Sequence, residues 1–118
     1  MSLNPALEPV RHLVGTWRGE GAGEYPTIDS FHYTEEVSFV DVGKPFLVYS
    51  QRTWSPEGRP MHIETGYLRV VKYGTVEFVL AQPTGQTELA EGPIELHEEG
   101  FTAELVSRVV NSASAKQV

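Results

Sequence analysis

The stretch "GTWRGEGAGEYPT", residues 15–27, places Gly15, Gly19, Gly21 and Gly23 on odd positions around Trp17 before the chain turns at Tyr25-Pro26. Glycines at this density can cradle a phosphate, make a turn, or let a flat object lie against the backbone. A dinucleotide loop needs its glycines between a strand and a helix, so that helix N–H groups face the anion. Here they run into Tyr-Pro instead. On an extended strand the odd positions share one face, so these residues bare that face beside an indole. Tight curvature or close strand packing is the competing use of any single glycine; four together favour a ligand.

The titratable residues offer less. His62 and Glu64 are two apart and share a strand face, a spacing a metal can use, yet no third ligand accompanies them, and no metal site is expected. Glu35-Glu36 and Glu98-Glu99 are adjacent pairs. On a strand such neighbours point to opposite faces and cannot act as a facing carboxylate couple, so they read as solvated charges. There is no G-x-S-x-G elbow and no Walker motif, and the absence of cysteine excludes disulfides, thiolate zinc and cysteine nucleophiles.

Composition narrows the partners. The 118 residues carry a formal charge of -7, which repels nucleic acid and anionic membrane surfaces. No apolar run approaches the ~20 residues of a spanning helix, and no signal pattern opens the chain. A single cytoplasmic domain, 1–118, is the expectation.

The elements that must position these residues follow from the hydrophobic period. Asn4 can cap a short helix with Pro5 at its first position and Val10, Leu13 and Val14 on its apolar side, ending at Gly15. After it the period becomes two. In "SFHYTEEVSFVDV" Phe31, Tyr33, Val37 and Phe39 alternate with His32, Thr34, Glu36 and Ser38. "FLVYSQRTWS", "MHIETGYLRVV", "TVEFVLAQ", "QTELAEGPIELHEE" and "FTAELVSRVV" continue the series between the turns "GKP", "SPEGRP", "KYG", "PTG" and "EG". Short turns without crossover helices predict an all-β fold, an antiparallel up-and-down β-barrel of the lipocalin or fatty-acid-binding type. Gln51, Thr53, Glu64 and Thr65 among large apolar residues predict a mixed lining on one side.

Several motifs now carry a resemblance. "GTWRGEGAGEYPTI", "HYTEEVSF", "GKPFLVYSQRTW", "PMHIETGYLRV", "LAQPTG" and "SAKQV" follow one another over nearly the whole chain in the order found in nitrobindins, a haem-binding β-barrel family. The family's GxWxGxG core stands here as Gly15, Trp17, Gly19 and Gly21. The resemblance implies a ten-stranded antiparallel barrel holding a largely exposed ferric haem b, able to bind nitric oxide and to isomerise peroxynitrite to nitrate. By position, Thr27 matches the threonine beside the haem, Ile28 an apolar distal neighbour, Met61 and His62 a pair facing the cavity, Gln82 a cavity-lining glutamine and Lys116 a lysine near the haem edge. A cation there suits a propionate.

The resemblance also marks a departure. Nitrobindins continue through two further strands carrying the histidine that binds iron on its proximal side, and residues 1–118 hold neither. The chain is therefore expected to be part of a longer product. A barrel that closes with fewer strands, or two copies completing each other by strand addition, are the alternatives. Of His12, His32, His62 and His97, only His62 is placed to substitute, and these residues alone are expected to take up haem weakly. A haem-free carrier of a small lipophile such as a fatty acid is the second functional reading.

Overall fold

The computed structural model describes residues 3–25, 28–71, 74–98 and 100–112, and for 21–25, 28–31 and 100 it describes the backbone alone. A short helix, Pro5–Leu13, precedes eight strands. These are β1 (Gly15–Tyr25), β2 (Ile28–Asp41), β3 (Leu47–Trp54), β4 (Pro60–Val71), β5 (Thr75–Gln82), β6 (Gln86–His97), β7 (Gly100–Ala103) and β8 (Val106–Asn111). Ladder order follows the chain from β1 to β7, β8 also pairs with β6, and every pairing is antiparallel. The all-β antiparallel expectation is thus met.

The sheet is rolled. Phe39 on β2 and Phe78 on β5 are three ladder steps apart, which in a flat sheet means about 14 Å. Their ring centroids lie 6.2 Å apart, and Tyr49 of β3 meets both, at 5.2 Å from Phe39 and 4.7 Å from Phe78. With Leu47, Leu68, Val76 and Leu80 these rings form the core on the inner face. Among the described residues β1 pairs with β2 only, so no ladder joins the first strand to the last.

The helix departs from expectation in type and face. Asn4 caps it as expected, its Oδ1 accepting from the Ala6 N–H at 2.9 Å. It is a 3₁₀ helix that contains Pro9 and loses regular geometry at Val10. Three residues per turn bring Leu7, Val10 and Leu13 onto one side. Leu7 and Val10 are buried in the core, Leu13 packs against it, and Val14, expected on the apolar side, is exposed.

The segment "FTAELVSRVV" was expected as one strand and is two, divided at Glu104-Leu105. Gly92-Pro93 on β6 explains the break. Proline has no N–H for the ladder, and Gly92 lies so close to the partner backbone that an added Cβ would sit 1.8 Å from the Glu104 carbonyl oxygen.

Candidate functional site

Register decides which side chains share the inner face. Gly15, Trp17, Gly19, Gly21 and Gly23 of β1 pair with Phe39, Val37, Glu35, Tyr33 and Phe31 of β2. Residues directly opposite one another in an antiparallel ladder project to the same side. The glycines therefore stand on the same side as Phe39 and Tyr49, as their odd positions required. Nothing lies within 4 Å of a Cβ built on Gly15 or Gly19, so open space faces this part of the strand. Trp17, 52% exposed, donates its Nε1–H to the Leu13 carbonyl at 2.9 Å, fastening the indole to the end of the helix.

Across from this ribbon runs a polar row. Glu35 pairs with Thr53, and Thr53 with His62; Val37 pairs with Gln51, and Gln51 with Glu64. Gln51 joins two of the strands, donating from Nε2 to Glu35 Oε1 at 2.6 Å while its Oε1 accepts from the Tyr49 hydroxyl at 3.2 Å. His62 Nε2 meets Glu64 Oε2 at 3.0 Å, and the His62 backbone N–H donates to Thr53 Oγ1 at 3.0 Å. Tyr49 and Thr53 are buried, at 6% and 7% exposure. Burial, then the negative charges of Glu64 and Glu35 and a hydrogen bond to Glu64, push the Tyr49 phenol well above its ordinary value. Tyr49 is a neutral hydrogen-bond donor at any ordinary pH.

This row corrects two expectations. Glu35 is no solvated charge: it is half-buried on the inner face, whereas Glu36 points outward and pairs with Arg18 at 2.9 Å. Thr65 is not part of the mixed lining, because Glu64 takes the inner side and its neighbour must take the outer one. Gln51, Thr53 and Glu64 do line it.

The expected site residues scatter. Thr27 and Lys116 lie outside the described residues, and Ile28 is described by its backbone alone, pairing with Tyr25. Met61 and His62 do not face the cavity together: His62 shares the inner side with Thr53, while Met61 is on the other side, 48% exposed. Gln82, half-buried, follows Leu80 on the inner face and pairs with Gln86. His12 and His32 are exposed, and His97 bonds Thr102 at 3.1 Å on the outside. Among the described residues His62 is thus the sole imidazole on the inner face, and no group of three His, Asp or Glu side chains converges as a metal would need. Glu35 and Tyr49 were missed as site residues because only the ladder register shows that they meet Gln51 and Glu64.

Haem fits this wall in one respect and finds it incomplete in another. A porphyrin needs a broad side-chain-free approach and apolar contact, which open Gly15 and Gly19 beside Trp17 offer. It would also need a side chain to hold its iron, and the one imidazole on the described inner face, His62, already has its Nε2 engaged by Glu64.

The model of the family described as "THAP4-like, heme-binding beta-barrel domain" matches residues 6–118. The chain belongs to this family. It is similar to peroxynitrite isomerase 2 of Mycobacterium ulcerans, with 50% identity over 118 residues, covering 98% of this chain and 73% of that protein. It is similar also to the peroxynitrite isomerase of Nocardia farcinica, 47% identical, covering 100% of this chain and 71% of the relative. Among solved structures, the crystal structure of Rv2717c from M. tuberculosis superposes with a TM-score of 0.87 at 46% identity, over 98% of this chain and 74% of that one. The resemblance to nitrobindins is borne out, and with it the haem-binding β-barrel assignment. Among the described residues no helix is long and apolar enough to cross a membrane.

Proposed function

We propose that the protein to which these residues belong binds ferric haem b against β1 and isomerises peroxynitrite to nitrate, with nitric oxide as a second iron ligand. The carrying observation is the open, side-chain-free inner face at Gly15 and Gly19 beside Trp17. Support for the reaction comes from relatives named peroxynitrite isomerase at about half identity over nearly the whole chain.

When bound, the group supplies an iron centre that can polarise an oxyanion, so the protein needs no positioned general base. The chain's own residues do the rest. Gly15, Gly19 and Gly21 admit the ring plane, Trp17 borders it, and the Leu13 carbonyl holds the indole in place. Tyr49 and Gln51 fix Glu35, and Glu64 fixes His62, so the polar row opposite is preorganised. Thr27, Ile28, Gln82 and Lys116 keep the roles the resemblance implies, as cavity and haem-edge contacts. A cytoplasmic location and a homodimer belong to the same proposal.

The test is a visible titration of residues 1–118 with ferric haem, with and without free imidazole to serve as the axial nitrogen. Weak uptake alone is expected, and with imidazole a Soret band distinct from that of imidazole-ligated haem without protein, followed by a higher nitrate yield from peroxynitrite than the protein-free mixture gives. A Soret band identical to that of imidazole-ligated haem without protein would sink the haem reading and favour the lipophile carrier.

A further inference from the structure

The rolled sheet separates its charges by side. The strand-borne arginines, Arg18, Arg52, Arg69 and Arg108, occupy outward register positions, and three of them pair there with Glu36, Glu77 and Glu91 at 2.9, 2.9 and 2.7 Å. The inner face has the opposite character. Glu35 and Glu64 flank Tyr49, and Glu88 is register partner of Leu80 and so faces the same side. Among the described residues, no lysine or arginine stands on that face, and His62, held by Glu64, is its one group able to carry positive charge. The remaining described cations, Arg11, Lys44 and Arg59, sit on the helix and in turns.

We infer that Glu35 and Glu64 are specificity-determining residues that bar a carboxylate headgroup from the inner face beside Tyr49, leaving it open to neutral or cationic lipophiles and to haem only with its propionates turned away from that wall. The inference rests on reading the inner face as a ligand cavity, and it refines what that cavity admits. An acyl carboxylate entering a barrel must exchange water for fixed partners. Here the fixed partners are carboxylates, a glutamine already committed at both ends, the Tyr49 hydroxyl that donates to it, the neutral Thr53 hydroxyl and one imidazole, with no lysine or arginine on that face among the described residues. Like charges in a partly buried site are weakly screened, so two of them oppose a third strongly. The Tyr49 phenol is raised first by burial and then by Glu64 and Glu35, which is consistent with a site where added negative charge is disfavoured. A carrier that draws a carboxylate inside would need a cation to receive it, and the described inner face offers only His62.

The experiment measures binding of dodecanoate, dodecanol and dodecylammonium to residues 1–118 by calorimetry near neutral pH. Dodecanol and dodecylammonium are expected to bind roughly tenfold or more tightly than dodecanoate. In the double variant Glu35→Gln, Glu64→Gln the gap to dodecanoate closes, while an unchanged near-UV circular dichroism spectrum reports an intact fold. Equal binding of dodecanoate and dodecanol by the unsubstituted chain overturns the inference, as does a gap that the double variant leaves unchanged. Failure of all three to bind overturns it too, since no lipophile cavity then exists. Haem uptake with imidazole, read on the same samples, keeps the two claims apart. Discrimination among the dodecyl compounds without a Soret shift retains this inference and removes the haem reading; the reverse pattern removes only the inference.

Discussion

Gln51 donates its amide N–H to Glu35 Oε1 at 2.6 Å, tying β3 to β2 directly across from Gly19. The bond matters because Glu35 is half-buried and because the same glutamine accepts from Tyr49. One amide thus settles a carboxylate and a phenol at once.

Replacing Gln51 by Leu strands Glu35 and takes from Tyr49 one of its two partners, leaving Glu64. The variant is expected to lose about 1–3 kcal/mol in urea denaturation, the usual cost of an unpaired buried polar group. Glu35→Gln, which keeps an acceptor for Gln51 Nε2, is expected to lose less than half as much. Equal losses in the two variants would show that shape rather than pairing is at stake.

Two glycines on inner register positions should respond in opposite ways. A Cβ on Gly66 would lie 1.8 Å from the Val79 carbonyl oxygen, so β4 and β5 must part to admit it. Gly66→Ala is expected to destabilise by roughly 3 kcal/mol. Gly19 faces open space, and Gly19→Val is expected to change stability by only about 0.5 kcal/mol. It should nevertheless weaken imidazole-assisted haem uptake by about tenfold, the factor that corresponds to a loss near 1.4 kcal/mol. Unchanged uptake would place the porphyrin elsewhere.

Tyr49 sets an alkaline limit. Its folded phenol is raised above the unfolded value of about 10, chiefly by burial and then by Glu64 and Glu35. A raised group contributes stability that is complete below the unfolded value and is lost as pH climbs from there toward the folded one. Stability should therefore fall above about pH 10, and Tyr49→Phe should flatten that fall while lowering stability at neutral pH through the lost bond to Gln51. Denaturant midpoints across alkaline pH check this; an equal slope in both proteins would reject it.

Trp17 should report on occupancy. Its indole borders the open ribbon, so ferric haem with imidazole is expected to quench tryptophan emission, and most of that quenching should vanish in Trp17→Phe. Quenching retained in the variant would assign it to Trp54.

Much of this molecule was legible in residue order alone. Alternation at period two marked every strand through β6, the turn residues marked the hairpins, and odd spacing set the glycines with Trp17 on one face. These are local properties, dictated by how a pleated backbone alternates its side chains. The split of Met61 from His62, and of Thr65 from Glu64, follows from the same alternation, yet which member faces inward depends on the register with β3. The 3₁₀ face of the helix and the break at Glu104 arose where Pro9 and Pro93 withhold an N–H and neighbouring backbone adjusts.

Tertiary structure alone decided the character of the wall. That Glu35 is an inner, bonded carboxylate while Glu36 is an outer ion-pair partner depends on which side the sheet rolls toward. So does the meeting of Glu35, Tyr49, Gln51 and Glu64, drawn from three strands. Sequence alternation divides residues into two sets; only closing the sheet about Phe39, Tyr49 and Phe78 determines which set is shielded from water and hence which charges must find partners.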